Sequence, residues 1–254
     1  MRLMHCQNNL LSVTLLRESR FLLLPLDFRM LINHDFNRRV TIAREEYEWV
    51  NSPQAGVDRV MLDRLGEEVA RATSVVRYLP ETPFPFHRHP GGEEILVLAG
   101  QFSEGDNDYP AGWYLRNPPG SSHQPHSQNG TLIFVKLGQM NSGVQPRVRI
   151  NTRDVANWHE KDGIKVCPLF ENEHENTRLL RLTTGTLLFE PALSGGVELF
   201  VLGGSLIEGN GIHGEGSWLR VPVTQPLVCS AGSDDTLLYI KKGHLLAMQE
   251  TAQC

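Results

Sequence analysis

No CxxC pair, no long apolar run and no basic cluster occurs anywhere in this chain of 254 residues, and each absence removes a class of protein. The four cysteines, Cys6, Cys167, Cys229 and Cys254, are scattered without short spacing. That argues against a disulfide framework and for a chain that works reduced, in the cytoplasm. Without about 18 consecutive apolar residues there is no helical membrane span. The formal net charge is −5 and no Lys/Arg stripe recurs, so nucleic acid is not an expected partner. The N-terminal stretch MRLMHCQNNLLSVTLLRESRFLLLPLDF is interrupted by Arg17, Glu18, Ser19 and Arg20 and has no small-residue cleavage site, which makes it a poor signal peptide. Residues 1–29 are read as a loosely held, poorly ordered extension, with Met30 as a candidate natural start.

What the chain does have is a copy of itself. GGEEILVLAGQFSEG (91–105) aligns without a gap over GGVELFVLGGSLIEG (195–209), at an offset of 104 residues. The same offset carries Gly112, Leu115, Arg116 and Pro118 onto Gly216, Leu219, Arg220 and Pro222, and Thr73 and Arg77 onto Thr177 and Arg181. After one inserted residue, TLIFVK (131–136) falls on TLLYIK (236–241). The expected organisation is an N-terminal unit at 30–145 and a C-terminal unit at 150–250. Each is a series of short apolar runs between Gly, Pro, Asn and Asp turns, the pattern of a β-sandwich or barrel. VDRVMLDRLGEEVARATSVVRYL (57–79) would suit an amphipathic helix by composition. Its partner, IKVCPLFENEHENTRLLRL, contains a proline and a polar turn, so a hairpin is expected in both copies. The fold class expected is all-β, two similar barrels in tandem.

The chemistry-bearing stretch is FPFHRHPGGEEILVLAG (84–100). On a strand, His87 and His89 leave the same face with Cα atoms roughly 6.5–7 Å apart. Two imidazoles at that separation can converge on one ion through metal–nitrogen bonds of about 2.1 Å. A turn, Pro90-Gly91-Gly92, leads to Glu93, and His123 follows PPGSS some thirty residues on. A lone HxH in a β protein is more often surface or packing, but the repeat supplies an internal control. His87, His89, Glu93 and His123 face Pro191, Leu193, Val197 and Leu227, so all four polar groups vanish together in the second copy. Loss as a set is what one shared ion would produce, and three imidazoles with one carboxylate leave coordination positions open. One divalent ion (Zn, Fe, Ni or Mn) is expected in the first unit and none in the second. Glu94 recurs as Glu198 and is read as structural, although a turn one residue longer would make it the ligand instead of Glu93. Arg116 and Lys136 recur as Arg220 and Lys241 and are read as structural on the same argument. His126 is a candidate substrate-facing group, or a surface turn. Tyr109, Trp113 and Tyr114 are candidate pocket residues, although strand aromatics are more often core.

His87-x-His89-x3-Glu93-x6-Gly100 resembles the first cupin motif, and Gly112-x5-Pro118-x-Gly120-x2-His123 the second. The opening glycine of the first motif is Glu81 here and the closing asparagine of the second is Ser127; neither is a ligand position in the family. GGEEILVLAGQFSEGDNDYPAGWYLRNPPGSSHQPHS is similar to the ChrR-type cupin, the sensory domain fused to certain anti-sigma factors, and the likeness extends over roughly 34–250 in two-barrel form. It implies jelly-roll-like barrels, and His87, His89, Glu93 and His123 as metal ligands. It also implies two kinds of activity. Cupins include dioxygenases that cleave carbon–carbon bonds in small, diketone-like molecules; ChrR-type cupins sense a ligand or oxidant. The zinc-binding His-x3-Cys-x2-Cys signature of the anti-sigma domain does not occur here, so direct anti-sigma activity is not expected and a protein partner is expected only of a sensor. A metal that merely braces the barrel is the third reading. A small-molecule ligand or substrate is the expected partner. A homodimer is compatible with the resemblance, although two barrels in one chain already satisfy the pairing cupins make through their edges.

Overall fold

The structure, a computed structural model, describes residues 30–67, 69–141, 145–233, 235–246 and 248. The extension expected at 1–29 lies outside the described residues, as do Cys6 and Cys254.

Alternation of apolar and polar side chains along each strand has period two, and here it decides three packed layers. In the N-terminal half the strands Val57–Leu65, Arg71–Tyr78, Thr131–Leu137, Glu93–Glu104, Trp113–Asn117 and Val148–Asn151 lie side by side in that order, antiparallel. The segment at 57–79 is therefore a hairpin, as its repeat partner required. Glu93–Glu104 is long enough to serve both walls of the barrel: its start pairs with Thr131–Leu137 and Trp113–Asn117, its end with Asn107–Pro110 and Pro125–Ser127. Odd-numbered residues of its first half, with Leu115, Ile133 and Val135, point into the barrel and pack on Tyr78, Phe102 and Tyr109. The C-terminal half repeats the plan with Ile164–Glu171, Asn176–Leu182, Thr236–Lys242, Val197–Gly203 and Trp218–Val221, closed by a four-stranded sheet. Its apolar core includes Val197, Leu199, Leu227 and Leu238.

The opposite faces of these strands form the third layer, where the large sheets of the two barrels meet. Leu96, Tyr114 and Phe134 pack against Phe200, Trp218 and Tyr239. Among them lie buried ion pairs that cross between copies: Lys136 sits 2.6 Å from Glu198, and Lys241 pairs with Glu94. Arg116 pairs with Glu94 at 2.5 Å and also with Glu175, and Arg220 lies 3.1 Å from Asp63. The repeated Glu, Arg and Lys are thus interface residues, as their presence in both copies implied. Two short strands cross the repeat boundary: Val40–Ile42 joins the C-terminal sheet beside Trp218–Val221, whereas Val148–Asn151 joins the N-terminal sheet beside Trp113–Asn117.

This interface makes stability sensitive to pH. The His244 side chain is 2% exposed and lies 2.8 Å from Glu198, and burial pushes its pKa down to about 4. Between the usual histidine value of 6.5 and that value, the unfolded chain binds a proton that the folded chain does not. This contribution is therefore fully present above pH 6.5 and falls as the pH drops towards 4, by up to about 3 kcal/mol. Urea unfolding at pH 7.5 and 5 should show a loss of stability in the wild type that is smaller in His244→Gln; equal losses would show that His244 is not the group responsible.

Candidate metal centre

The first two histidines come from the strand His87–His89, the third from Ser121–His123. The two pair antiparallel in a small sheet of their own that sets His123 opposite His87. The turn between His89 and Glu93 must be tight, and its glycines explain how. Gly92 has φ +77°, and a Cβ on Gly91 would lie 2.7 Å from the Gly138 backbone. Glu93 then opens the next strand on an inward-facing position.

The rings of His87, His89 and His123 form a nearly equilateral triangle, with centroids 4.7, 4.8 and 4.8 Å apart. Nε2 of His89 and Nε2 of His123 are 2.9 Å apart, and each is 3.5 Å from Glu93 Oε2. One ligand atom from each of the four residues lies within 4.8 Å of all the others. The outer nitrogens are occupied: His87 Nδ1 contacts the Pro85 carbonyl at 2.9 Å and His123 Nδ1 contacts Glu104 at 2.7 Å. Those contacts place the proton on Nδ1 and turn the Nε2 lone pairs of both rings inward. Burial lowers the pKa of His89 to about 4, and lowers that of His87 against the Pro85 contact, so both are neutral and ready to donate at neutral pH. Burial raises the pKa of Glu93, against the pull of His123 and Asn117. A cation at the centre of the cluster would reverse that effect. Three inward-facing imidazole nitrogens and one buried carboxylate oxygen converging on one point fit a divalent transition metal.

A ring of hydrogen bonds links two of these groups from behind. Asn117 Nδ2 donates to Glu93 at 2.9 Å, and Arg149 donates to Asn117 Oδ1 at 2.7 Å. The same Arg149 nitrogen, Nη2, also donates to Glu104, which accepts from His123. Although burial alone would raise Glu104, the bonds from His123 and Arg149 hold its pKa at about 2. It therefore presents a full charge to His123, which orients that ring and makes its inner nitrogen a stronger donor. Glu104→Gln should weaken metal binding about 10- to 100-fold in a competitive chelator titration. An unchanged affinity would reduce Glu104 to a structural tether, the role its counterpart Glu208 has with Arg39 in the other barrel.

The sequence candidates divide by the face they occupy. Glu94 points away from the cluster into the interface between barrels, where burial opposes but Lys241 and Arg116 enforce a pKa of about 2. Tyr114 goes the same way and donates to Glu94 at 3.2 Å. Tyr109 and Trp113 are on the inner side, 5.4 Å apart, with Tyr109 accepting from Arg149 at 3.2 Å. His126 is exposed, across from Pro83, and lines a cavity of about 950 Å³ that also reaches His123, Glu104 and Arg147. Glu81, in the glycine position of the motif, keeps a glycine-like backbone with φ +57°, and Ser127 donates to the Gln101 carbonyl at 2.7 Å. In the second copy Val197 and Leu227 fill the barrel core, and Leu193 turns outward.

Asn117 and Arg149 were not legible as site residues. Asn117 adjoins the repeated Arg116 with nothing to mark it as inward-facing, and Arg149 lies outside both motifs. Glu104 was hidden because it recurs as Glu208.

Two antiparallel barrels in tandem, the first with a His3Glu cluster, have the bicupin fold. Residues 37–141 match the family model of the ChrR cupin-like domain, so the N-terminal barrel is similar to that domain. No curated protein matches the chain in sequence. Among solved structures, a candidate dioxygenase from Nostoc punctiforme superposes with a TM-score of 0.67 at 13% identity, over 82% of this chain and 84% of its own. The pirin of Escherichia coli, solved in complex with nickel(II), gives 0.59 at 12% identity over 81% and 99%. The 11S allergen of Cocos nucifera gives 0.60 at 10% over 82% and 90%. At these identities the likeness is one of fold.

Proposed function

We propose that the chain is a metal-dependent enzyme of dioxygenase type that acts on a small, oxygenated, diketone-like molecule. The observation that carries this reading is the asymmetry between the barrels. The cluster of His87, His89, Glu93 and His123 lies beside a cavity of about 950 Å³ in one barrel, while the other folds around an apolar core without it. A site that the fold does not need is retained for chemistry. When bound, a divalent ion would supply Lewis acidity and open coordination positions. The chain's own groups do the rest. Glu93, held by Asn117, serves as a ligand and not as a proton acceptor. Phe84, 4.8 Å from His87, covers one side of the cluster with hydrocarbon. Arg147 and His126, both on the cavity wall, are placed to meet a polar or anionic substituent of the substrate. The metal-loaded protein should consume oxygen when given diketones or related aromatics, measured with an oxygen electrode; no uptake across such a panel counts against the reading.

The second reading is a sensor, supported by the match of residues 37–141 to the ChrR cupin-like domain. A sensor would change once per site on exposure to oxidant or ligand, or release a protein partner, where an enzyme turns over repeatedly. A purely bracing metal is disfavoured by the second barrel, which folds with Pro191, Leu193, Val197 and Leu227 at the matching positions.

A further inference from the structure

The repeat that isolates the metal site also isolates a second feature, present only in the other barrel. The small sheet of the C-terminal barrel runs Leu187–Glu190, Leu227–Ala231, Ser205–Glu208, Gly211–Gly214. On its inner face Leu188, Leu206, Leu227, Cys229 and Ala231 join the core. On its outer face, strand pairing places Leu187, Ser230, Ile207 and Ile212 in one row across all four strands, and Phe189 beside Val228 in the next. The five apolar members are between 39% and 74% exposed, and the two rows contain no charged side chain. At the same positions in the N-terminal barrel stand Pro83, Pro85, Gln124, Ser103 and Asp108. The fold therefore does not require an apolar surface here.

We propose that this face is the contact between two copies of the chain, joined about a twofold axis. The five side chains present roughly 500 Å² of apolar area, within the range of the largest patch on an ordinary monomer. Two such faces set together bury on the order of 1,000 Å², about what a specific interface must clear. A twofold contact sets the same patch against itself, and a patch without charge meets its own copy without like-charge repulsion. It also offers no charge pattern by which a different partner would be selected. The barrel without the cluster is then the assembly module, and the cluster-bearing barrels stay open on both chains. The inference does not rest on the proposed reaction.

Sedimentation equilibrium of the full chain tests it, with metal content followed in parallel. The wild type should reach twice the chain mass of 28.5 kDa at micromolar concentration. Phe189→Lys and Ile212→Lys should each weaken the dimer by roughly 30-fold or more, as expected at the centre of an interface. Both positions are exposed, so near-UV circular dichroism and metal content should match the wild type; Phe189→Ser is the milder variant if the lysine disturbs folding. A wild type that remains monomeric at tens of micromolar overturns the proposal, even if it binds another protein or lipid vesicles through Phe189. So does a dimer that all three variants leave intact.

Discussion

Replacing His89 with alanine is expected to reduce bound metal from one ion per chain to a small fraction of that, with affinity falling by more than about a hundredfold. The estimate is conservative, since removing a group that merely supports a ligand costs 10- to 100-fold. His89 is the most enclosed of the three rings, its Nε2 nitrogen faces those of its neighbours, and its low pKa leaves it unprotonated and able to donate. His123→Leu makes a useful companion, because the chain itself carries Leu227 at the matching position, fully buried in the second barrel. Elemental analysis of untagged protein reads both. Iron, nickel or manganese at one per chain, lost in the variants, would make oxygen uptake the next measurement. Zinc would shift weight to hydrolysis or sensing. Two ions per chain would show that the second barrel binds metal after all. A folded protein that takes up no metal on reconstitution would leave the cluster a relic.

Lys136→Met should destabilise the protein by about 3–5 kcal/mol in urea unfolding, the cost of leaving one member of a buried ion pair behind. Glu198 would be that member. Its carboxylate is 2.6 Å from Lys136, and its other contacts are Trp218 at 2.7 Å and His244 at 2.8 Å. Removing the carboxylate as well, in Lys136→Met with Glu198→Leu, should recover much of the loss, because apolar replacement of a whole buried pair is often neutral. A double variant as unstable as the sum of its parts would mean that the pair contributes little and that packing around Lys136 is the cause. These contacts join the barrels, so the unfolding midpoint should shift for the whole chain, with no change in metal content before unfolding.

Within the site, legibility ended at the strand face. Spacing alone brought forward His87, His89, Glu93 and His123, and the second copy tested them by lacking all four. The choice between Glu93 and Glu94 depended on the length of one turn, since a shift of one residue exchanges the faces of a strand. Tyr114 was grouped with Tyr109 and Trp113 by proximity in sequence, yet it stands on the opposite face from Trp113. Arg149 reaches the site only because Val148–Asn151 pairs with Trp113–Asn117, a contact that no local pattern encodes.

By itself, then, the sequence determined the two-copy plan, the strands and the four candidate ligands, because repetition, turn residues and period-two alternation are local properties of the chain. The tertiary structure decided which carboxylate faces inward, which charges are shared between the barrels and how Glu104, Asn117 and Arg149 support the histidines. Each of those outcomes depends on strand pairing and sheet packing between distant segments, and buried charges are satisfied only by the partners that this packing brings to them.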